Sequence, residues 1–520
     1  MKLLLLFSII LLFTYLSCQT NSSEVPPKAA DFPFEEITIR QLQDGYQAGK
    51  YTVQEVAQAY LDRIAAVDPK LHSVIMTNPD ALSIAAALDE ELKAGKARGP
   101  MHGVPVLLKD NIDTHDKMPC TAGSRALANS FPLQDSWVAA RLREAGAVIL
   151  GKANLSEWAN FRGEMSSSGW SAIGGQCNNP YDLTRNPCGS SSGSGVAVSA
   201  NLCVVAIGTE TNGSIVCPST TNGIVGIKPT VGLVSRSGVI PISYSQDTPG
   251  PMARTLEDAA ICLSVLTGID SVDGKTPASE GHIEEDYSTF LKADGLKGKR
   301  IGWWKTPSEN HFKVDAEMKK AIDFMKSQGA EIVELESVMG PGANSSSFQV
   351  MLYEYKDGLN TYFASLGEKS PIKSLEDVIV FNKQDSIELE FYDQRYLEMA
   401  QEKGPITDYD YESALVAMHG ATRREGIDKV MNEHQLDAIV GPTGSPAWKT
   451  DHTNGDHYML SSSSPAAISG YPNITVPMGF VEGLPVGISF FGRAWSEPVL
   501  IEIAGAFEQG TKARRAPGLN

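Results

Sequence analysis

The sequence has few cysteines, and none lies in Cys-x-x-Cys spacing: Cys18, Cys120, Cys177, Cys188, Cys203, Cys217 and Cys262 stand apart. That gives no support to a zinc site or a thioredoxin-like redox pair. Positive charge is also short. Lys and Arg number 44 against 62 Asp and Glu, a formal net charge of -18. An acidic body repels phosphate backbones, so nucleic acid is not an expected partner. There is no internal repeat and no low-complexity block beyond a short N-terminal stretch, so a repeat array is not expected. No later apolar run approaches the roughly 20 residues of a membrane-spanning helix.

The one strong apolar run, Leu3 to Leu16, follows Met1-Lys2 and has the length of a signal-peptide core. Ser17-Cys18 comes next. A Cys after a small residue fits a bacterial lipoprotein signal in which Cys18 becomes the lipidated first residue. Tyr15-Leu16-Ser17-Cys18 is a loose version of it, since Leu is more usual at the Tyr15 position. A plain secretory signal cut near Ser17 or Cys18 is the competing reading, and an uncleaved anchor is a third. Gln19 to Ala30 is polar, carries Pro26 and Pro27, and reads as a tether. The expected organisation is a leader over residues 1–18, a tether over 19–33 and one large domain over 34–515. The expected location is outside the cytoplasm, periplasmic or held at a membrane only through Cys18. No pattern dictates an oligomeric state. Export permits disulfides, and Cys177 with Cys188 is a conceivable pair; small buried thiols are the alternative.

The body of the chain is ordinary for a globular protein, 42% apolar and 20% charged over 520 residues. Thr52 and Glu55 form a capping box, and Val53, Val56, Ala57, Tyr60, Leu61 and Ile64 then mark one face of a helix. A second helix is expected from about Pro79 to Lys93. Val104 to Leu108 reads as a short buried strand ending at Lys109-Asp110, Ser136 to Ala145 as a helix and Ala147 to Leu150 as a strand. Val204 to Ile207, Arg300 to Trp304, Glu331 to Leu335, Ala438 to Val440, Ile474 to Val476 and Gly487 to Phe491 add further strands, with a helix over Val314 to Lys326. This alternation predicts an α/β fold. The stretch from about 340 to 433, rich in Tyr, Glu and Lys, reads as a helical excursion. Tyr353, Tyr355 and Tyr362 within it either line a groove or pack between helices.

Two small-residue stretches carry the chemistry. Pro187-Cys188-Gly189-Ser190-Ser191-Ser192-Gly193-Ser194-Gly195 is the first, and Gly208-Thr209-Glu210-Thr211-Asn212-Gly213-Ser214-Ile215 the second. Small residues let backbone N–H groups form an anion nest, and a serine at its end sets a nucleophile beside oxyanion donors. Serine needs a base. None of the nine histidines lies in either stretch. Lys109, ending an apolar strand, is another candidate, since burial lowers a lysine pKa from about 10.4 by several units. Gly189-Ser190-Ser191-Ser192-Gly193 also fits G-x-S-x-G, which would make Ser191 the nucleophile of a strand-to-helix elbow. The elbow needs a strand just before it, and Asn178-Asn179-Pro180 and Asn186-Pro187 read as loop. Asp451-His452 and Asp456-His457 match no metal-ligand spacing and read as a solvated loop.

Taken together these stretches resemble the amidase-signature family. Gly103 to Asp110 is similar to its lysine strand, Gly189 to Gly193 to its glycine–serine loop, and Gly208 to Ile215 with Gly223 to Thr230 to its nucleophile segment. Gly470 to Pro477 and Gly483 to Gly487 also resemble it, and the likeness runs from about Phe34 to Ala513. The resemblance implies a large mixed central β-sheet covered by helices on both faces. It implies Ser214 as nucleophile, Ser190 as a bridging serine after a cis peptide bond and Lys109 as base. Backbone N–H groups of Thr211, Asn212, Gly213 and Ser214 would form the oxyanion hole, with no metal or organic cofactor. Three residues depart from the common pattern: Glu210 replaces Asp, Asn212 replaces Gly and Val216 replaces Arg, so an acidic–arginine brace is missing. Cys188 stands where Gly is common. These features look most like the peptide-amidase branch, which removes the C-terminal amide from peptides. The implied substrate is a small-molecule or short peptide amide. Other aryl or alkyl amides or esters, a transamidase-like glutaminase component, and a surface lipoprotein that binds peptides without cleaving them are the alternatives.

Overall fold

The computed structural model describes residues 32–368 and 370–519; the leader, Cys18 and most of the tether lie outside the described residues. Phe34–Leu519 cluster as a single unit. Its centre is an eleven-stranded sheet. In chain order the strands are β1 (Val74–Thr77), β2 (Pro105–Lys109), β3 (Val148–Ala153), β4 (Val205–Glu210), β5 (Val225–Lys228) and β6 (Thr248–Ala253). They continue as β7 (Arg300–Trp304), β8 (Glu331–Leu335), β9 (Ala438–Pro442), β10 (Asn473–Val481) and β11 (Leu484–Phe491). The spatial order is β1-β3-β2-β4-β6-β5-β10-β11-β9-β7-β8. β3, β2 and β4 run parallel to one another, as do β9, β7 and β8, while the pairs between β4 and β9 are antiparallel.

Every residue of β2, β3, β4, β5, β6, β9 and β11 is buried. Successive strand side chains point to opposite faces, so full burial means that both faces are covered by helices. The edge strands β1 and β8 are only partly buried, as strands at the rim are. The helices stand where periodicity places them. Val53–Val67 starts at Thr52, whose hydroxyl accepts from Glu55 N–H at 3.1 Å while Thr52 N–H donates to the Glu55 carboxylate at 2.8 Å. Ala81–Lys93, Trp137–Glu144 and Phe312–Ser327 follow.

The region after 340 is helical, with Ala343–Ser365, Leu375–Gln384, Arg395–Gln401, Tyr409–His419 and Asp428–Glu433. Tyr353, Tyr355 and Tyr362 within it are buried and pack between elements. Tyr355 meets Phe161 edge-on at 5.0 Å, Tyr353 lies against Tyr411, and Tyr362 donates from its hydroxyl to Asp113 at 2.8 Å. Among the described residues no helix is long and apolar enough to cross a membrane.

β2 and β4 are parallel neighbours, so their C-terminal ends open on the same edge of the sheet. Open α/β sheets place their sites at that edge. Lys109 ends β2, and the Thr211–Ser214 turn follows β4.

Candidate active site

Lys109 is fully buried. Its Nζ lies 2.7 Å from Ser190 Oγ, 2.9 Å from Thr209 Oγ1 and 3.3 Å from the Thr209 carbonyl. Burial holds its pKa at about 7, although Asp247 and Glu210 pull it upward. A neutral amine has two N–H donors and one lone pair. The two Thr209 oxygens match the donors, which leaves the lone pair for the Ser190 hydroxyl. Thr209 is fixed in turn by Asn111 Nδ2, which donates to Thr209 Oγ1 at 3.0 Å.

Ser190 is fully buried and follows a cis Gly189–Ser190 peptide bond. Its carbonyl accepts from Ser156 N–H at 3.0 Å. The loop that carries it is stitched to the Thr211–Ser214 turn by Ser191 N–H, which donates to the Ser214 carbonyl at 3.1 Å. Ser191 turns its hydroxyl toward the Thr209 carbonyl at 3.1 Å, and Ser192 turns its own toward the Cys188 carbonyl at 2.7 Å. Both hydroxyls are thus taken up by backbone carbonyls. Asn186 to Ser190 form no strand, so the strand-to-helix elbow is absent and Ser191 is not exposed at its tip. Gly193, in the first turn of helix Ser192–Ser199, passes so close to its neighbours that a Cβ would stand 2.2 Å from the Ser73 carbonyl oxygen and 2.5 Å from Asn154 N.

Ser214 is 8% exposed and faces a cavity of about 560 Å³. Thr211, Asn212 and Gly213 line the same cavity. Among the described residues no hydrogen bond takes up the backbone N–H groups of Thr211, Asn212, Gly213 or Ser214. Gly213 has φ +85°, the left-handed conformation that turns the chain back past Ser214. The turn is braced although the arginine of the family pattern is missing. One Glu210 oxygen accepts from Ile215 N–H at 2.8 Å and Val216 N–H at 3.0 Å. Thr211 Oγ1 donates to Asp247 at 2.7 Å, and Ile242 and Ser243 N–H donate to the other Asp247 oxygen. Burial pushes the Asp247 carboxyl up to about 6.

Cys188 is disulfide-bonded to Cys217, with the two Cα atoms 6.0 Å apart. This corrects the Cys177–Cys188 pairing. The Ser191–Ser214 stitch brings the two serine loops together and sets Cys188 beside the start of helix Val216–Thr221. Cys177 is a free buried thiol, as are Cys120, Cys203 and Cys262. Cys188 has φ +58°, where glycine is the least penalised residue.

The rest of the cavity wall comes from separated parts of the chain. Trp304 extends from β7, Met351 from helix Ala343–Ser365, and Trp448, Tyr458 and Met459 from the loop after β9. Asp456 lines it too, which corrects the reading of a solvated loop. Its carboxylate accepts from Ser168 N–H, Ser168 Oγ, Asn186 Nδ2 and Trp448 Nε1. His457, by contrast, is exposed. Sequence reasoning missed Asp247, the place of Asp456 in the wall and the Lys109 partner Thr209. Thr209 lies inside the quoted β4 segment and was within reach; the two aspartates have no local signal.

A family model described as Amidase matches residues 55–501. The solved peptide amidase from Stenotrophomonas maltophilia is 48% identical, superposes with a TM-score of 0.91, and the match covers 94% of this chain and 100% of that one. An Arabidopsis thaliana protein named a probable amidase is 42% identical over 94% of this chain and 93% of its own length. A glutamyl-tRNA(Gln) amidotransferase component from Microcystis aeruginosa is 34% identical over 91% and 97%.

Proposed function

This chain belongs to the amidase family and is a hydrolase of amide C–N bonds, and from that premise we propose that it removes the C-terminal amide of peptides through a Ser214–Ser190–Lys109 triad. The observation that carries the reading is the buried Lys109 amine 2.7 Å from the hydroxyl of Ser190. Ser214 Oγ adds to the carboxamide carbon, its proton passes to Ser190, and Ser190 gives its own proton to Lys109. The oxyanion is held by the N–H groups of Thr211, Asn212, Gly213 and Ser214. The tetrahedral adduct collapses as the relay returns the proton to the leaving nitrogen, and ammonia departs. Water then attacks the acyl ester, giving its proton to the same relay, and the peptide acid leaves with Ser214 restored.

The peptide substrate is supported by the likeness to the Stenotrophomonas peptide amidase. It also agrees with an aromatic- and Met-walled cavity that has room for a few residues of peptide. Export, with Cys18 as lipid anchor, rests on the Leu3–Leu16 run and Ser17-Cys18. The test is ammonia release from C-terminally amidated dipeptides, with Ser214→Ala as control. Release by the wild-type protein alone supports the reading. Silence on the panel with release from glutamine would favour the glutaminase role of the amidotransferase relatives, and turnover of aryl amides or esters alone would move the substrate there.

A further inference from the structure

The cavity in front of Ser214 is lined by a single charged side chain among the described residues, Asp456, and by no cation. The groups that hold the Asp456 carboxylate are neutral dipoles: Ser168 N–H at 3.0 and 3.1 Å, Ser168 Oγ at 2.5 Å, Trp448 Nε1 at 3.1 Å and Asn186 Nδ2 at 3.3 Å, with the Ser167 hydroxyl beside them. No ion pair among the described residues cancels its charge. Burial raises the carboxyl above its ordinary value, and the donors oppose that rise. Donors converging on a carboxylate favour the ionised form, and the field of an ion held by dipoles in a low-dielectric wall extends into the adjoining space.

Resting on the peptide-amide reading above, we propose that Asp456 makes this cavity selective by charge: it favours amidated peptides with a cationic side chain, accepts neutral ones and disfavours acidic ones. The absence of any Lys or Arg in the wall means that nothing offsets the repulsion of an acidic substrate. Asp456 also touches the machinery indirectly. Asn186 donates to Asp456 from Nδ2 and accepts Cys188 N–H at 2.8 Å, two residues before Ser190. Changing Asp456 therefore alters turnover generally by shifting that loop. A ratio of two substrates cancels that common loss, and the charge preference does not cancel.

The experiment measures kcat/KM, at mildly alkaline pH, for N-acetylated dipeptide amides that carry Lys, Gln or Glu, either as the C-terminal residue or as the residue before it. In at least one series the wild-type protein should rank Lys over Gln over Glu. The Lys-to-Glu ratio should be on the order of tenfold or more, the effect of a unit charge across a cavity this wide at an effective dielectric of about 20. Asp456→Asn should bring that ratio close to one, and Asp456→Glu should retain the ranking. Should Asp456→Asn not fold, the wild-type protein is compared on Lys and Nε-acetyl-lysine peptides, and the charged one should be preferred. Equal rates for Lys and Glu in both series, a ratio unchanged by Asp456→Asn, or no preference for Lys over its acetylated form would overturn the proposal. No ammonia from any of these peptides, with Ser214 still labelled by a fluorophosphonate, removes the peptide-amide reading and this selectivity with it.

Discussion

Lys109 carries its amine into the interior, where loss of hydration keeps it at about 7 against the pull of Asp247 and Glu210. The base form is the neutral one. kcat/KM should therefore rise with pH through about 7 and level off above it. Asp247→Asn removes an anion that stabilises the protonated form, so it should move this limb to lower pH. A pH–rate profile on the two proteins checks both statements. Lys109→Ala should lower kcat by roughly 100-fold or more, the scale of general-base catalysis. The places of Lys109 at the end of β2 and of Ser190 and Ser214 in small-residue turns were legible from short local patterns, whereas their proposed roles come from the family resemblance. Asp247 was not, because it meets Thr211 across 36 positions of chain. Asp456 was misjudged for a similar reason: its polar neighbourhood in sequence resembles a solvated loop, yet its partner Ser168 lies 288 positions away.

Among the elements, eight of the eleven strands were legible, while β1, β5 and β6 were not. Thr248-Pro249-Gly250-Pro251-Met252-Ala253 reads as a turn, yet it lies between β4 and β5. Its two prolines alternate, so the N–H groups they lack belong to one edge of the strand. Pairing with β5 is confined to Met252 and Ala253, beyond both prolines. Tertiary packing thus overrides a turn-like composition. The disulfide is likewise a property of two elements meeting. Cys188 and Cys217 close a loop with a sequence separation of 29. Replacing both with Ser should cost about 3–4 kcal/mol by chain entropy, an upper figure if the unfolded chain stays compact. Urea denaturation of the double variant against the oxidised wild-type protein measures it; an unchanged midpoint would mean that this link contributes no stability.

For the whole molecule, Glu36 and Arg514 join the two ends of the described catalytic body. Arg514 donates to both Glu36 oxygens, at 2.8 and 2.7 Å, and to the Gly223 carbonyl at 2.7 Å. Burial alone would raise the Glu36 carboxyl, and the Arg514 hydrogen bonds and charge outweigh it, so the pKa lies below the ordinary value. A lowered carboxyl contributes stability that is present above the unfolded pKa and lost as pH falls through the folded one. Arg514→Met should therefore cost roughly 1–2 kcal/mol at neutral pH, reduced from a fully buried pair because Glu36 is partly exposed. The loss should shrink in acid, and kcat/KM should be little changed, since neither residue lines the cavity. Thermal unfolding at neutral and acidic pH reads the difference.

The central claim, that Ser214 is the nucleophile and Lys109 its base, is tested most directly by locating the site of covalent attack. The folded protein is treated with a fluorophosphonate, digested, and the adduct mapped by mass spectrometry. We predict an adduct on Ser214 alone, formed much more slowly in folded Lys109→Ala at neutral pH. An adduct on Ser191, or a rate of Ser214 labelling unaffected by the loss of Lys109, would contradict it.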